Sequence, residues 1–258
     1  MWNGQSVGIV FPAYNEAQNI AIAVAEFRAL AGADGAPLVD RVVVVDNNST
    51  DGTGDLARGA GAEVVVETTQ GYGNALQRGL REIDTDLIVL CEPDGTFASK
   101  DIVKLLAYSE DFEMVCGTRT NPGMIWDEAN MKWFLRLGNY FVAKGLEILY
   151  KTRSLSDCGC TFRLIRKDAA RRIDGDLFVG ASHFLPNMII AAKMNGVDFI
   201  EIPVSYKGRT GESKITGSWT GMWKTGIAMV WLILACWPRF LFRSSNTKPK
   251  PATERSDR

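Results

Sequence analysis

Short apolar runs alternate with helically spaced ones through the first half of the chain. Residues 7–11 are apolar and stop at Pro12, and residues 16–30 repeat Ile20, Val24, Phe27 and Leu30 at helical spacing. Residues 41–45 form a β-branched run ending in Asp46, and residues 50–61 open with Ser/Thr/Asp cap chemistry and read as a helix. The rhythm continues with a strand at 63–67, a helix at 73–83, a strand at 87–91, a helix at 100–108 and a short strand at 114–116. Strands alternating with helices predict an α/β sandwich, a mostly parallel sheet covered on both faces. Nearly continuous Val, Ile and Leu in the strands fits that double burial.

After residue 120 the pattern changes. Residues 129–150 read as one long helix, 160–165 and 197–202 as strands, and 167–172 and 183–194 as helices. Residues 205–218 are polar and glycine-rich, hence a loop. Residues 225–238 carry no charge and include Trp231 and Trp237. That stretch is short for a bilayer span, which needs about 20 apolar residues. With Trp219, Trp223, Lys224, Arg239 and Arg243 around it, residues 218–243 suggest a helix lying in a membrane interface. The competing reading is a helix packed on its own domain or on a dimer partner. Residues 244–258 are polar with two prolines and read as a disordered basic tail.

Composition narrows the classes. The chain has 258 residues, 46% of them hydrophobic, enough for a full core. Lys plus Arg is 29 against 30 for Asp plus Glu, so no global field favours nucleic acid. From Arg239 onward there are six cations and two anions, a +4 tail that leaves −5 on the body of a chain whose net charge is −1. Such a tail suits an anionic surface, of which a lipid headgroup layer is one. The five cysteines are too scattered for a disulfide framework, and Cys158-Gly-Cys160 lacks the second pair of a zinc site. The expectation is a reduced, cytosolic environment, with no signal peptide before the first strand.

In open parallel sheets, ligands bind beyond the carboxyl ends of the strands. The unusual polar residues gather there: Pro12-Ala13-Tyr14-Asn15-Glu16, Asp46 through Thr53, Gly71-Tyr72-Gly73 and Glu92-Pro93-Asp94-Gly95-Thr96. Each cluster alone is ordinary turn or cap chemistry. Four clusters on one rim point to a ligand site. Glu92-x-Asp94 is the sharpest, a compact pair of oxygen donors of the kind Mg²⁺ or Mn²⁺ shares with substrate phosphates, with Thr96 adding a hydroxyl or holding a water. Gly71-Tyr72-Gly73 is not a dinucleotide fingerprint; it reads as a tight turn, with approach to a phosphate left open. His183 has no partner in sequence and reads as structural.

Taken together these residues resemble the family-2 glycosyltransferases of the GT-A fold, a Rossmann-like αβα sandwich. Pro-Ala-Tyr-Asn-Glu at 12–16 looks like the family's first nucleotide-binding motif. Residues 46–53 look like its second, with Asn47 and Asn48 in place of an Asp and a Gly. Glu92-Pro93-Asp94 stands where the family has Asp-x-Asp. The second half looks most like the polyprenyl-phosphate glycosyltransferases, the dolichyl-phosphate mannose synthase group, through Gly117-Thr118-Arg119, Ser156 to Arg163 and the Arg209-x-x-Glu212-Ser213-Lys214 loop.

The resemblance implies roles. Asp46 would contact the nucleotide base, with Pro12, Tyr14 and Glu16 framing its pocket and Gly71 and Pro93 nearby. Asp94, with Glu92 and Thr96, would hold Mg²⁺ or Mn²⁺ on the donor diphosphate. Arg119, Lys132, Arg209, Ser213 and Lys214 would meet the leaving diphosphate and the acceptor phosphate; Lys132 stands where relatives carry an Arg. Asp157 would sit near the reacting centre, orienting a cation or the acceptor rather than abstracting a proton, because a phosphate acceptor is already ionised.

The expectation is therefore an inverting, metal-dependent hexosyltransferase acting on a nucleotide-sugar donor and a polyprenyl-phosphate acceptor at the cytoplasmic face of a membrane. Its catalytic domain would span 1–217, with a nucleotide-sugar half to about 120 and an acceptor half beyond it. A homo-oligomer is left open. The alternatives are a transferase with a soluble phosphorylated acceptor and a non-catalytic nucleotide-sugar binding module.

Overall fold

In the computed structural model the chain is described at residues 1–32, 34–124, 133–208 and 219–244. The strands are β1 (Val7–Ala13), β2 (Arg41–Asp46), β3 (Glu63–Val66), β4 (Leu87–Leu90), β5 (Met114–Thr118), β6 (Arg163–Arg166) and β7 (Phe199–Pro203). They form one sheet in the order β3-β2-β1-β4-β6-β5-β7. β6 alone is reversed, running antiparallel to β4 and β5. The six others point one way, so their carboxyl ends share one rim, and the chain enters β6 from that same rim. Strand order turns back between β1 and β4, the switch point at which open α/β sheets bind ligands.

The helices are α1 (Ile20–Arg28), α2 (Thr53–Gly59), α3 (Tyr72–Glu82), α4 (Ile102–Tyr108), α5 (Trp133–Tyr150), α6 (Lys167–Ile173), α7 (Phe184–Met194) and α8 (Trp219–Ser244). α1, α2 and α4 cover one face of the sheet through Phe27, Ala57 and Leu105. α3 and α5–α8 cover the other through Leu76, Leu146, Ile173, Ile189 and Ile233. Every residue of β1 and β4 is buried, as central strands covered on both faces require.

Differences from the sequence pattern fall where side chains serve loops. α1 starts at Ile20 rather than 16, because residues 14–19 are tied to the loop after β2. The strand expected at 160–165 begins at Arg163. Arg163 is fully buried and donates to the carbonyls of Cys158, Cys160 and Leu185 at 2.7–2.9 Å, which turns the backbone of residues 158–161 away from strand geometry. Of the helix expected at 129–150, residues 129–132 lie outside the described residues.

α8 lies along α5 and α7. Leu232, Ile233, Cys236 and Phe240 are buried against the domain, and each large apolar side chain so buried is worth about 1.5–3 kcal/mol. Tyr150 Oη donates to Ile233 O at 2.7 Å and Trp237 Nε1 to Leu149 O at 3.1 Å. The opposite face is apolar and exposed: Trp223, Ile227, Val230, Trp231, Leu234 and Leu241 recur at helical spacing. By length and composition, the 21 residues Trp223–Arg243 are enough to cross a membrane, a longer stretch than the uncharged residues alone suggested. Arg239 and Arg243, expected to meet lipid, turn to Asp176 at 3.6 and 2.8 Å.

Candidate functional site

The loops after β1 and β2 form one knitted unit. Asn15 N donates to Ser49 Oγ at 3.0 Å, Thr50 N to Asn15 Oδ1 at 2.8 Å, and Glu16 N to Thr53 Oγ1 at 2.8 Å. Asn15 and Asn48 both take the left-handed backbone that Asn tolerates better than most residues. Asp46 ends β2 beside Ala13 of β1 and accepts from Ser49 N at 2.9 Å. Pro12 is buried within β1, while Tyr14 is exposed at the mouth. Asn47, one of the two departures from the family pattern, is buried. It donates to Glu67 O and Thr69 O and accepts from Gly71 N, stapling the next loop to this rim.

Gly71 and Gly73 are explained by close packing. A Cβ at Gly71 would lie 2.3 Å from Gly180 O, and one at Gly73 would lie 2.1 Å from Val179 O. The amides of Gly73 and Asn74 both donate to Gly180 O, at 2.9 and 3.1 Å. The start of α3 thus spends these two donors inside the protein.

The next residue, Tyr72, faces the acidic loop after β4. Its hydroxyl lies 3.1 Å from Glu92 Oε1 and 2.5 Å from Thr161 Oγ1, and Thr161 Oγ1 lies 2.9 Å from Glu92 Oε1. Burial and the neighbouring carboxylate hold the Tyr72 phenol well above its usual pKa, so it stays a donor. Asp94 is buried and accepts from Thr96 N at 3.0 Å and Thr96 Oγ1 at 2.6 Å. Thr96 therefore orients Asp94. Among the described residues no group of three or more His, Cys, Asp or Glu converges on a metal position. Two hard carboxylates two residues apart in one loop suit a cation that takes its remaining ligands from substrate phosphate and water, and do not make an all-protein cage.

Across β6, Arg119 follows β5 and meets Asp157 as a two-pronged pair, Nε to Oδ2 at 2.7 Å and Nη2 to Oδ1 at 2.9 Å. The Asp157 side chain is wholly buried and that of Arg119 is 15% exposed. Arg119 N, Gly159 N and Asn139 Nδ2 also donate to this carboxylate. Burial alone would raise the Asp157 pKa; Arg119 and the donors outweigh it and hold the group below the usual carboxylate range. Glu201 of β7 accepts from Ser156 N and Asp157 N, both at 2.8 Å, and so fixes the backbone under the pair.

Tyr206 closes the row. Its ring lies 5.3 Å from the Arg119 guanidinium carbon and 5.5 Å from the Phe97 ring. Lys207 N donates to Thr96 O at 2.7 Å, which ties the segment leaving β7 to the acidic loop. The rim thus brings together Pro12, Tyr14, Glu16 and Asp46 at one end, Glu92, Pro93, Asp94 and Thr96 in the middle, and Arg119 and Asp157 at the other. Four strand spacings separate β2 from β5, about 19 Å, room for an elongated ligand. Lys132, Arg209, Ser213 and Lys214 lie outside the described residues.

The supporting roles of Tyr72, Thr161, Asn139, Glu201 and Tyr206 emerge only from the fold. The available signals were a lone Asn heading an apolar helical stripe and a Glu inside an apolar strand. His183, by contrast, stands at the start of α7, with burial lowering its pKa.

Residues 8–174 match the sequence model of glycosyl transferase family 2. An uncharacterized glycosyltransferase of Mycobacterium tuberculosis is 30% identical over 221 residues, covering 84% of this chain and 93% of that one. The undecaprenyl-phosphate mannosyltransferase of Micrococcus luteus is 29% identical over 225 residues, covering 82% and 88%. Among solved structures, glucosyl-3-phosphoglycerate synthase of Mycobacterium tuberculosis, in complex with Mn²⁺, UDP and glucosyl-3-phosphoglycerate, superposes with a TM-score of 0.66. It is 17% identical and covers 90% of this chain and 81% of that one, a likeness of fold.

Proposed function

The chain belongs to glycosyl transferase family 2, with the GT-A fold, and from that premise we propose that it moves a hexose from a nucleoside-diphosphate sugar to a polyprenyl phosphate at the cytoplasmic face of a membrane, with inversion. The donor is of the UDP-glucose or GDP-mannose type. The observation that carries the reading is the single rim on which Asp46, the Glu92–Asp94 pair and the Arg119–Asp157 pair stand in order. Lys207, in the segment that leaves β7, is bonded to Thr96 beside them. The undecaprenyl-phosphate mannosyltransferase relative and the exposed apolar face of α8 support the lipid acceptor.

Each residue then has a physical task. Asp46 receives the base, between Tyr14, Glu16 and the loop that Asn47 braces. Asp94 and Glu92 hold Mg²⁺ or Mn²⁺, which supplies charge neutralisation to the departing diphosphate. Tyr72, Thr161 and Thr96 fix the directions of those carboxylates. Arg119 offers positive charge where negative charge develops, a gain that depends on its being held in place beforehand. Asp157 is its positioning residue; carrying a depressed pKa, it is poorly suited to take a proton. None is needed, because the acceptor phosphate attacks as an anion. Arg209, Ser213, Lys214 and Lys132 complete the acceptor-phosphate site.

Thermal unfolding tests the donor half. At ligand concentrations about 100-fold above Kd, UDP or GDP with Mn²⁺ should raise Tm by roughly 5–10 °C, since selective binding of the native state stabilises it by about 2.7 kcal/mol. A short-chain polyprenyl phosphate added with the preferred nucleotide should raise it further. A response to 3-phosphoglycerate in its place would favour a soluble acceptor. No response to either nucleotide with metal would contradict the proposal.

A further inference from the structure

Glu92 stands in the place of the first Asp of the Asp-x-Asp pattern, so its carboxylate is carried one methylene, about 1.5 Å, farther from the backbone. Two hydroxyls meet it there. Tyr72 Oη lies 3.1 Å and Thr161 Oγ1 2.9 Å from the same oxygen, Glu92 Oε1, and the hydroxyls lie 2.5 Å from each other. The three side chains close a triangle. Its corners come from different parts of the chain, and neither hydroxyl can follow a shorter acid. Tyr72 is the first residue of α3, whose start is seated on residues 179–180 by backbone contact at Gly71 and Gly73. Gly71 N is also bonded to Asn47 Oδ1 at 2.7 Å. Thr161 is buried in the bend before β6, which the Arg163 guanidinium pins through the carbonyls of Cys158 and Cys160.

We infer that Tyr72 and Thr161 are positioning residues matched to a glutamate at position 92, holding one of its oxygens so that the carboxylate is aimed at the donor's divalent cation, and that aspartate does not substitute for it. The inference rests on the metal reading of the Glu92–Asp94 loop above and adds what sets that geometry. Asp94 follows the same plan with local partners: Thr96 N and Thr96 Oγ1, two residues on, both donate to Asp94 Oδ1. The partners of Glu92 stand 20 and 69 residues away in sequence, so its aim depends on the fold. An Asp carboxylate would sit about 1.5 Å short of both hydroxyls, which takes contacts of 2.9 and 3.1 Å beyond hydrogen-bonding length. It would then be unaimed, and the two hydroxyls would lose their charged acceptor. Ligating carboxylates are themselves hydrogen-bonded, and loss of such an outer partner costs about 10–100-fold in metal affinity or activity.

Mn²⁺ binding by the full chain tests this, read from the paramagnetic resonance of free Mn²⁺ as protein is added, with UDP or GDP present and no acceptor. Tyr72→Phe should raise the Mn²⁺ dissociation constant roughly tenfold or more, and Glu92→Asp comparably. Thr161→Val, which removes the other hydroxyl, should do the same, whereas Thr161→Ser keeps it and should stay within about threefold of wild type. Tyr72→Phe combined with Glu92→Asp should cost little more than the larger single loss, because both break one contact. Nucleotide affinity measured in chelator should stay within about twofold of wild type in every variant, the change being confined to the metal's own contacts. Wild-type Mn²⁺ affinity in Tyr72→Phe or in Glu92→Asp would overturn the inference and leave the metal reading standing. Losses that multiply in the double variant would overturn it too. So would a parallel loss of nucleotide affinity in chelator, which would make the hydroxyls supports of the fold alone. A wild-type protein that binds no Mn²⁺ with either nucleotide would remove the metal reading itself.

Discussion

Asp157 shows how a residue's burial and its partners compete. Leaving water raises the cost of its charge, and only the guanidinium fork and three further donors make the charged form the stable one. Its folded pKa is depressed, so the stability it contributes is present above the unfolded value of about 3.9 and is lost as pH falls through the lower folded value. Asp157→Asn should therefore be destabilised by about 3–5 kcal/mol at neutral pH, the cost of breaking a buried pair. The deficit should shrink below about pH 4, where the wild type loses the same contribution. Melting curves across that range check this, and a constant difference would show that the pair is not the source. Asp94 tests the metal in the same spirit. Asp94→Asn should fold, yet lose transfer and the Mn²⁺-dependent rise in Tm with nucleotide, because an amide is a weak ligand for a hard cation. Wild-type behaviour on both readouts would remove Asp94 from the metal site.

At the scale of elements, hydrophobic periodicity located the strands and helices because each central strand is buried on both faces and each helix on one. It misplaced ends where polar side chains act across the chain. Residues 16–19 look helical but are held by Thr53 and Asp51 from another loop. Residues 160–162 look like strand but are bent by Arg163. α8 showed its two apolar faces only in the structure, since spacing alone does not say which apolar residues meet a core. The expected cationic loop, Arg209 to Lys214, lies outside the described residues, and the chain before it is bonded at Lys207 to the acidic loop. Arg209→Ala and Lys214→Ala should each lower kcat/KM for the lipid acceptor roughly tenfold or more, the loss of one charge-assisted contact to phosphate. Unchanged kinetics in both would place the acceptor phosphate elsewhere.

For the whole molecule, the parallel direction of six strands makes one rim the meeting place of residues far apart in sequence. That much was legible, because strand-end clusters in an α/β pattern converge by topology. The pairing of Arg119 with Asp157, and the bracing of Glu92 by Tyr72 and Thr161, was not. Both depend on β6 being inserted in reverse between β4 and β5, which no local pattern encodes. The most direct measurement of the account is transfer itself. Labelled UDP-glucose or GDP-mannose is supplied with Mn²⁺ to the full chain, with vesicle-borne polyprenyl phosphate and a water-soluble phosphorylated acceptor offered together. Label should be extracted into the organic phase, and this should be lost when a chelator is added. Label confined to the water-soluble acceptor, or transfer indifferent to chelator, would contradict it.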